Sequence, residues 1–362
     1  MTFALITGGG TGGHVYPALA LAEELVARGH EPETVHFVGA QRGLEASVVP
    51  ATGFQIDLLP GRGLERRFSS GAIRALWEAA VAFVRARRIV ATRKPRVVVG
   101  VGGYASLPCL LAARLRVRRI PAVVHEQNAA PGLANRIAVR LGARAAVSLP
   151  GTPLAGAVLT GNPIRAEVAR VRRDPHEPLL SVFGGSLGAR SLNRAAVGLY
   201  DRWRRRTDVS VHHVTGSRDH DDCRQRLDAL RRPDDQLRYT LVRYEDDMPG
   251  LYTRTTLAAC RAGAVTVAEL AAAGVPAILV PLPGAPADHQ TRNAKAMAER
   301  GAAVVVPDSE LDAARLDALS GELLTEGTRL DAMSEAAWAL ARPDAAARLA
   351  DLVEDVSSRA QR

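Results

Sequence analysis

Twice along this chain a short apolar run ends in a cluster of glycines that leads directly into residues of helical spacing. The first is "FALITGGGTGGHVYPALALAEEL", Phe3 to Leu25, and the second is "LLSVFGGSLGARSLNRAAVGL", Leu179 to Leu199. Each reads as strand, glycine turn, helix. Glycine suits such a turn because it accepts positive φ and, lacking a Cβ, lets backbone N–H groups approach a ligand. The following helix aims unpaired amides and the positive end of its dipole at the same point, which favours an anion.

Further apolar runs separated by helical stretches, "RVVVGVGG" (Arg96–Gly103), "PAVVHEQN" (Pro121–Asn128), "PAILVPLP" (Pro276–Pro283) and "AAVVVP" (Ala302–Pro307), imply parallel strands covered on both faces. The fold class is therefore α/β with doubly wound parallel sheets. A length of 362 residues exceeds one ordinary core, so two domains are expected. The Pro- and charge-rich segment Leu159–Pro178 reads as the linker, and the division falls near residue 165. Ligands bind outside the carboxyl ends of such strands, so the cleft between the halves is the expected site.

Gly8, Gly10 and Gly13 fit the G-x-G-x-x-G spacing of a dinucleotide site, which also needs an acid at the end of the second strand to hold a ribose. The second strand, Thr34–Ala40, ends in Gly39 and Ala40, which argues against NAD. A nucleotide-sugar site and a turn without ligand stay open at this point. The net charge of +9, all arginine apart from Lys94 and Lys295, points to a phosphate-bearing partner. Nucleic acid lacks any supporting signature. Cys109, Cys223 and Cys260 have no metal-ligand spacing, which suits a reducing, cytosolic compartment. No uninterrupted run of about 18 apolar residues appears, and the first strand leaves no room for a signal peptide. The D-H-D triplet at Asp219–Asp221 imitates a metal motif but reads as exposed acid at a helix start.

Five loops place polar residues after strands: Gly8–His14, Gly102–Pro108, His125–Asn128, Gly184–Asn193 and Cys260–Ala294. Their segments "GGGTGGHVYPALALAEEL", "GVGGYASLP", "HEQNAAPGLANR", "TGNPIR", "FGGSLGARSLN" and "RAGAVTVAELAAAGVPAILVPLPGAPADHQTRNA" resemble, in order and spacing, the MurG family of peptidoglycan N-acetylglucosaminyltransferases. The resemblance implies the GT-B fold, two Rossmann-like domains around a cleft. It assigns 1–164 to acceptor and membrane, 165–340 to the UDP-sugar, and 341–362 to a helical tail able to pack back on the first domain. It implies inverting transfer of N-acetylglucosamine from UDP-N-acetylglucosamine to the 4-hydroxyl of the muramoyl sugar of lipid I, giving lipid II. No tightly bound cofactor and no metal are implied.

By the same resemblance, Gly185, Ser186 and the helix start beyond them hold the donor phosphates, with Arg165 close by. Glu269 takes the ribose hydroxyls, and Ala264, Val265 and Thr266 line the same turn. Gln290 and Asn293 read the sugar hydroxyls. Thr11, Gly12, Gly13 and Asn128 contact acceptor or donor. The acceptor hydroxyl needs a base, and His14 and Glu126 compete for that role. Glu245 stands where the family usually has an apolar residue beside the uracil, and Gly284 is smaller than the usual residue.

The stretch 66–96 sets Ile73, Leu76, Trp77, Val81 and Val84 at helical spacing with Arg85 and Arg88 at the rim. An amphipathic helix packed on its sheet and an interfacial helix docked on anionic lipid both fit this pattern. A lipid-linked substrate favours the second, and with it a peripheral location on the cytoplasmic face of the plasma membrane. The rival functions are an NAD oxidoreductase, a UDP-sugar epimerase of the same fold, and a nucleotide-sugar binder without catalysis.

Overall fold

The computed structural model describes residues 2–60, 72–185 and 187–359, with the side chains of residues 72–76 outside the description. The chain forms two compact units, Met1–Arg165 with Arg342–Arg362, and Ala166–Ala341.

The first unit runs β1 (Ala4–Thr7), α1 (Gly12–Ala27), β2 (Val35–Ala40), α2 (Glu45–Ala51), β3 (Gln55–Leu59) and α3 (Ala72–Arg93). It continues through β4 (Val97–Gly100), α4 (Ser106–Arg114), β5 (Ala122–Glu126), α5 (Leu133–Arg140), β6 (Arg144–Val147) and β7 (Val158–Leu159). The strands form one parallel sheet in the order β3-β2-β1-β4-β5-β6-β7. Successive side chains of a strand point to opposite faces, and the core divides accordingly. Ala4, Ile6, Val97 and Val99 pack with Leu21 and Leu25 of α1. Leu5 and Val98 pack on the other face with Val90 of α3 and Leu110 of α4. Both faces are dry, which is why these strands read as continuous apolar runs.

The second unit holds α6 (Ala166–Ala169), β8 (Leu179–Phe183), α7 (Arg190–Trp203), β9 (Ser210–Val214), α8 (His220–Leu230), β10 (Arg238–Val242) and α9 (Met248–Arg254). Then follow β11 (Leu257–Cys260), α10 (Ala264–Ala273), β12 (Ala277–Leu279), α11 (His289–Ala298), β13 (Ala303–Val305), α12 (Ala313–Thr325) and α13 (Gly327–Leu340). Its sheet, also parallel, has the order β10-β9-β8-β11-β12-β13. In both sheets the order of successive strands reverses beside the first strand, β1 or β8, where open α/β sheets build sites.

The last helix, α14 (Ala345–Arg359), belongs to the first unit. Its Leu349 and Val353 share the core of α1, and Arg28, just past the end of α1, reaches Asp351 at 2.6 Å and Glu354 at 2.9 Å. The stretch expected to be a plain linker is partly tied down. Arg173 N–H donates to the Ala273 carbonyl at 3.0 Å and Asp174 N–H to that of Thr253 at 2.7 Å.

Candidate active site

In the first unit the glycine loop after β1 lies backbone to backbone against the loop after β4. Gly9 N–H donates to the Gly102 carbonyl at 3.3 Å, and a Cβ on Gly103 would collide with the Gly9 carbonyl. His14, in the first turn of α1, lays its ring over Gly102, where a Cβ would stand 2.8 Å from His14 Cδ2. Its Nδ1 lies 3.3 Å from Thr11 Oγ1. Thr11 is exposed and Gly12, Gly13 and His14 are half-buried, so this turn presents a titratable ring beside accessible backbone. Pro17 has no N–H to give to the Gly13 carbonyl, which the helix therefore leaves as an acceptor.

The loop's anion-binding capacity is smaller than its glycines suggest. Gly10 N–H donates to Oε2 of Glu45 at 2.7 Å, which removes one amide and sets a carboxylate behind the turn.

The loop after β5 is held from within. Oε2 of Glu126 accepts from Gly132 N–H at 2.9 Å and Asn135 Nδ2 at 2.8 Å, and Oε1 accepts from Asn128 N–H at 3.1 Å. Glu126 is 3% exposed. Both its oxygens serve the backbone and side chains of its own loop, a geometry of support rather than of proton abstraction, and Asn128 is fixed by it. His125 Nε2 donates to the Gly161 carbonyl at 2.9 Å, and its Nδ1 accepts from Gln127 Nε2 at 3.2 Å. Gln127 also donates to the Val101 carbonyl at 2.8 Å, tying this loop to the one beneath His14.

Burial pushes the His125 imidazole down to about 4, and that of His213 on β9 to about 3. Both are neutral in the folded chain at pH 7, whereas the unfolded chain protonates each near pH 6.5. Their contribution is complete above that value and is lost as pH falls, each by up to about 1.4 kcal/mol per pH unit. The thermal unfolding midpoint is expected to drop steadily from about pH 6.5 to about pH 4.5; a flat profile over that range contradicts this.

In the second unit the turn between β8 and α7 depends on Gly188, with φ 81° and a position where a Cβ would strike the Thr215 carbonyl. Gly188 N–H closes the turn on the Gly185 carbonyl at 2.9 Å. Gly185 is exposed, with φ 87° and open space where a Cβ would stand. Ser186 lies outside the described residues. Behind the turn, buried Asn193 donates to the Thr215 carbonyl at 3.0 Å and pairs with His213 Nε2 at 3.0 Å.

Arg261, at the end of β11, joins three loops. It donates to the Val280 and Pro281 carbonyls at 3.1 Å, to Asp308 at 2.6 Å and to Ser191 Oγ of the first turn of α7 at 3.1 Å. A guanidinium so engaged ties together the loops after β11 and β12, the segment after β13 and the first turn of α7.

Glu269 lies on α10, one turn past Ala264, Val265 and Thr266, which are half-buried. It is 5% exposed, and Tyr252 OH donates to its Oε2 at 2.9 Å, fixing the carboxylate. Leu282 N–H donates to Gln290 Oε1 at 2.9 Å, which leaves the NH₂ of Gln290 as the end available to a hydroxyl. Asn293 is wholly buried and donates to the Ala262 carbonyl at 3.2 Å, next to the turn before α10. Glu245 faces inward, its Oε2 2.9 Å from His212 Nε2, with Oε1 accepting from Asp247 N–H at 3.0 Å. Gly284 has φ 72°, a backbone reason for glycine there. Asp219 is buried rather than exposed, between Arg218 at 2.9 Å and Arg190 at 3.5 Å.

Arg165 closes the first unit, its guanidinium 5.4 Å from the centre of the Tyr16 ring on α1. On α3, Ala82, Ala86 and Val90 are buried. The opposite stripe leaves Trp77 69% and Val84 49% exposed, with Val81 half-buried and Arg85 and Arg88 exposed. The side chains of Ile73 and Leu76 lie outside the description.

Against known proteins, the glycosyltransferase family 28 N-terminal domain matches residues 4–147 and the family's C-terminal domain matches residues 179–349. The chain belongs to glycosyltransferase family 28. Among family relatives is the UDP-N-acetylglucosamine--N-acetylmuramyl-(pentapeptide) pyrophosphoryl-undecaprenol N-acetylglucosamine transferase of Alkalilimnicola ehrlichii, 43% identical over 96% of each chain. The transferase of that name from Methylococcus capsulatus shows the same identity and coverage. The crystal structure of Acinetobacter baumannii MurG superposes with TM-score 0.78 at 30% identity, covering 98% of this chain and 100% of that one. A UDP-N-acetylglucosamine 2-epimerase from Listeria monocytogenes, 15% identical with TM-score 0.65 over 96% and 95%, shares the fold alone. The fold of this family 28 chain is GT-B. Among the described residues no helix is long and apolar enough to cross a membrane.

Glu45, Arg261 and Tyr252 escape sequence reasoning. Arg261 alone has a local signal, standing between the end of a strand and a glycine turn.

Proposed function

We infer that this family 28 chain transfers N-acetylglucosamine from UDP-N-acetylglucosamine to the 4-hydroxyl of the muramoyl sugar of lipid I, with inversion at C1. The observation that carries the reading is likeness over nearly the whole chain to transferases of that name. The acceptor oxygen forms a bond to C1 as the bond from C1 to the diphosphate oxygen breaks. UDP leaves with the electron pair, and the acceptor proton passes to a base.

His14 is the base in this account, because its ring is half-exposed and oriented by Thr11 whereas both oxygens of Glu126 are engaged. Glu126 holds Asn128 and its loop. In the second unit, the amides of the Gly185 turn and the start of α7 receive the diphosphate. Arg165 supplies positive charge to it, Glu269 takes the ribose hydroxyls, and Gln290 gives its NH₂ to a sugar hydroxyl. Incubating the chain with lipid I analogue and UDP-N-acetylglucosamine labelled in the sugar is expected to move label into a lipid-linked β-1,4 disaccharide. Label released as free sugar, or converted to an epimer, refutes the reading.

The exposed stripe of α3 supports attachment to an anionic cytoplasmic membrane surface, where the lipid-linked acceptor resides. Replacing Trp77 and Val84 together by glutamate is expected to weaken binding to phosphatidylglycerol vesicles by about tenfold or more without lowering thermal stability, since neither side chain is in the core. Unchanged vesicle binding refutes this face as the contact.

A further inference from the structure

Glu45 opens α2, and its side chain is only 2% exposed. Its carboxylate turns back beneath the first glycine loop, with Oε2 accepting from Gly10 N–H and Oε1 from Ala40 N–H, each at 2.7 Å. Three glycines make the space. A Cβ on Gly9, Gly39 or Gly43 would each overlap the Glu45 side chain.

An ion buried this deeply is costly to desolvate, and an apolar residue would fill the same volume more cheaply. What the carboxylate supplies is a fixed pair of acceptors for the loop that leads into His14. Gly9 and Gly10 have φ of 140° and 94°, so no regular structure holds that backbone. One face of the loop rests on Gly102 and Gly103; Glu45 fixes the other.

We propose that Glu45 is a positioning residue for the transfer reaction, clamping Gly9–Gly10 so that α1 begins where His14 can serve the acceptor hydroxyl. This rests on the reading of His14 as the base. Because the clamp occupies an amide and puts negative charge behind the turn, the loop suits a hydroxyl-bearing group better than a phosphate.

Two variants test it in the full chain with UDP-N-acetylglucosamine and a lipid I analogue. Glu45→Gln keeps the size but turns an NH₂ toward one of the two amides. Gly43→Ala leaves Glu45 in the sequence and drives its carboxylate from its seat. Both are expected to lower kcat by about 10²-fold, the scale of a misplacement near 1 Å, while the KM for UDP-N-acetylglucosamine stays within about twofold. Glu269 and Gln290, which hold the ribose and the sugar in this account, lie in the other unit, so loss of fold in the first unit alone would not produce that split. If Glu45→Gln fails to fold, the decision passes to Gly43→Ala. Folded variants with wild-type kcat, or with donor KM rising in step with the loss of kcat, overturn the positioning role alone. A wild-type chain without acceptor-dependent transfer overturns this role together with the transferase reading.

Discussion

Replacing His14 by alanine is expected to lower turnover about 10²- to 10⁴-fold, the contribution of a positioned general base. The imidazole is well placed for that work. It stands on the first turn of α1, beside the accessible backbone of Thr11–Gly13, with Thr11 Oγ1 3.3 Å from Nδ1 and Gly102 beneath the ring. The ring is only half-buried and its neighbour Thr11 is exposed, so folding should survive the substitution. His14→Gln separates hydrogen bonding from proton transfer, since an amide can occupy the space without titrating. Both variants are expected to bind UDP-N-acetylglucosamine as the wild type does, with the loss confined to turnover. Full turnover by His14→Gln would reassign the base.

Glu269→Ala is expected to act on the opposite side of the kinetic ledger, weakening UDP binding by about 10²-fold or more. Hydrogen bonds to a charged group contribute about 1.5–3 kcal/mol each, and a ribose offers two hydroxyls to one carboxylate. The substitution also removes Glu269 Oε2, which accepts from the OH of wholly buried Tyr252 at 2.9 Å. Glu269→Gln keeps an acceptor for Tyr252 and should lose less. Calorimetric titration with UDP separates the two cases. Normal UDP affinity in Glu269→Ala, with only turnover reduced, would remove Glu269 from the ribose.

Much of the fold is legible because parallel strands buried on both faces leave uninterrupted apolar runs. β1, β4, β5 and β8 all lie inside segments that announce themselves this way. The two glycine turns are equally visible, since Gly188 occupies a backbone that other residues cannot share with the Thr215 carbonyl. What sequence conveys poorly is which polar residue faces a ligand and which faces its own chain. Glu126 has the chemistry of a contact, yet its partners are Gly132 and Asn135, set in place by the path of its own loop. Glu45 is the converse case. It meets Gly10, 35 positions earlier, only because α2 follows β2 directly beneath the turn after β1. Glu245 looks misplaced beside a base pocket until His212, on the neighbouring strand, is found 2.9 Å away.

The most direct test of the transferase account is UDP release from UDP-N-acetylglucosamine by the purified chain, measured with and without a lipid I analogue. The account predicts release that depends on the acceptor and saturates with it. Equal release with and without acceptor, or none despite bound donor, would contradict it.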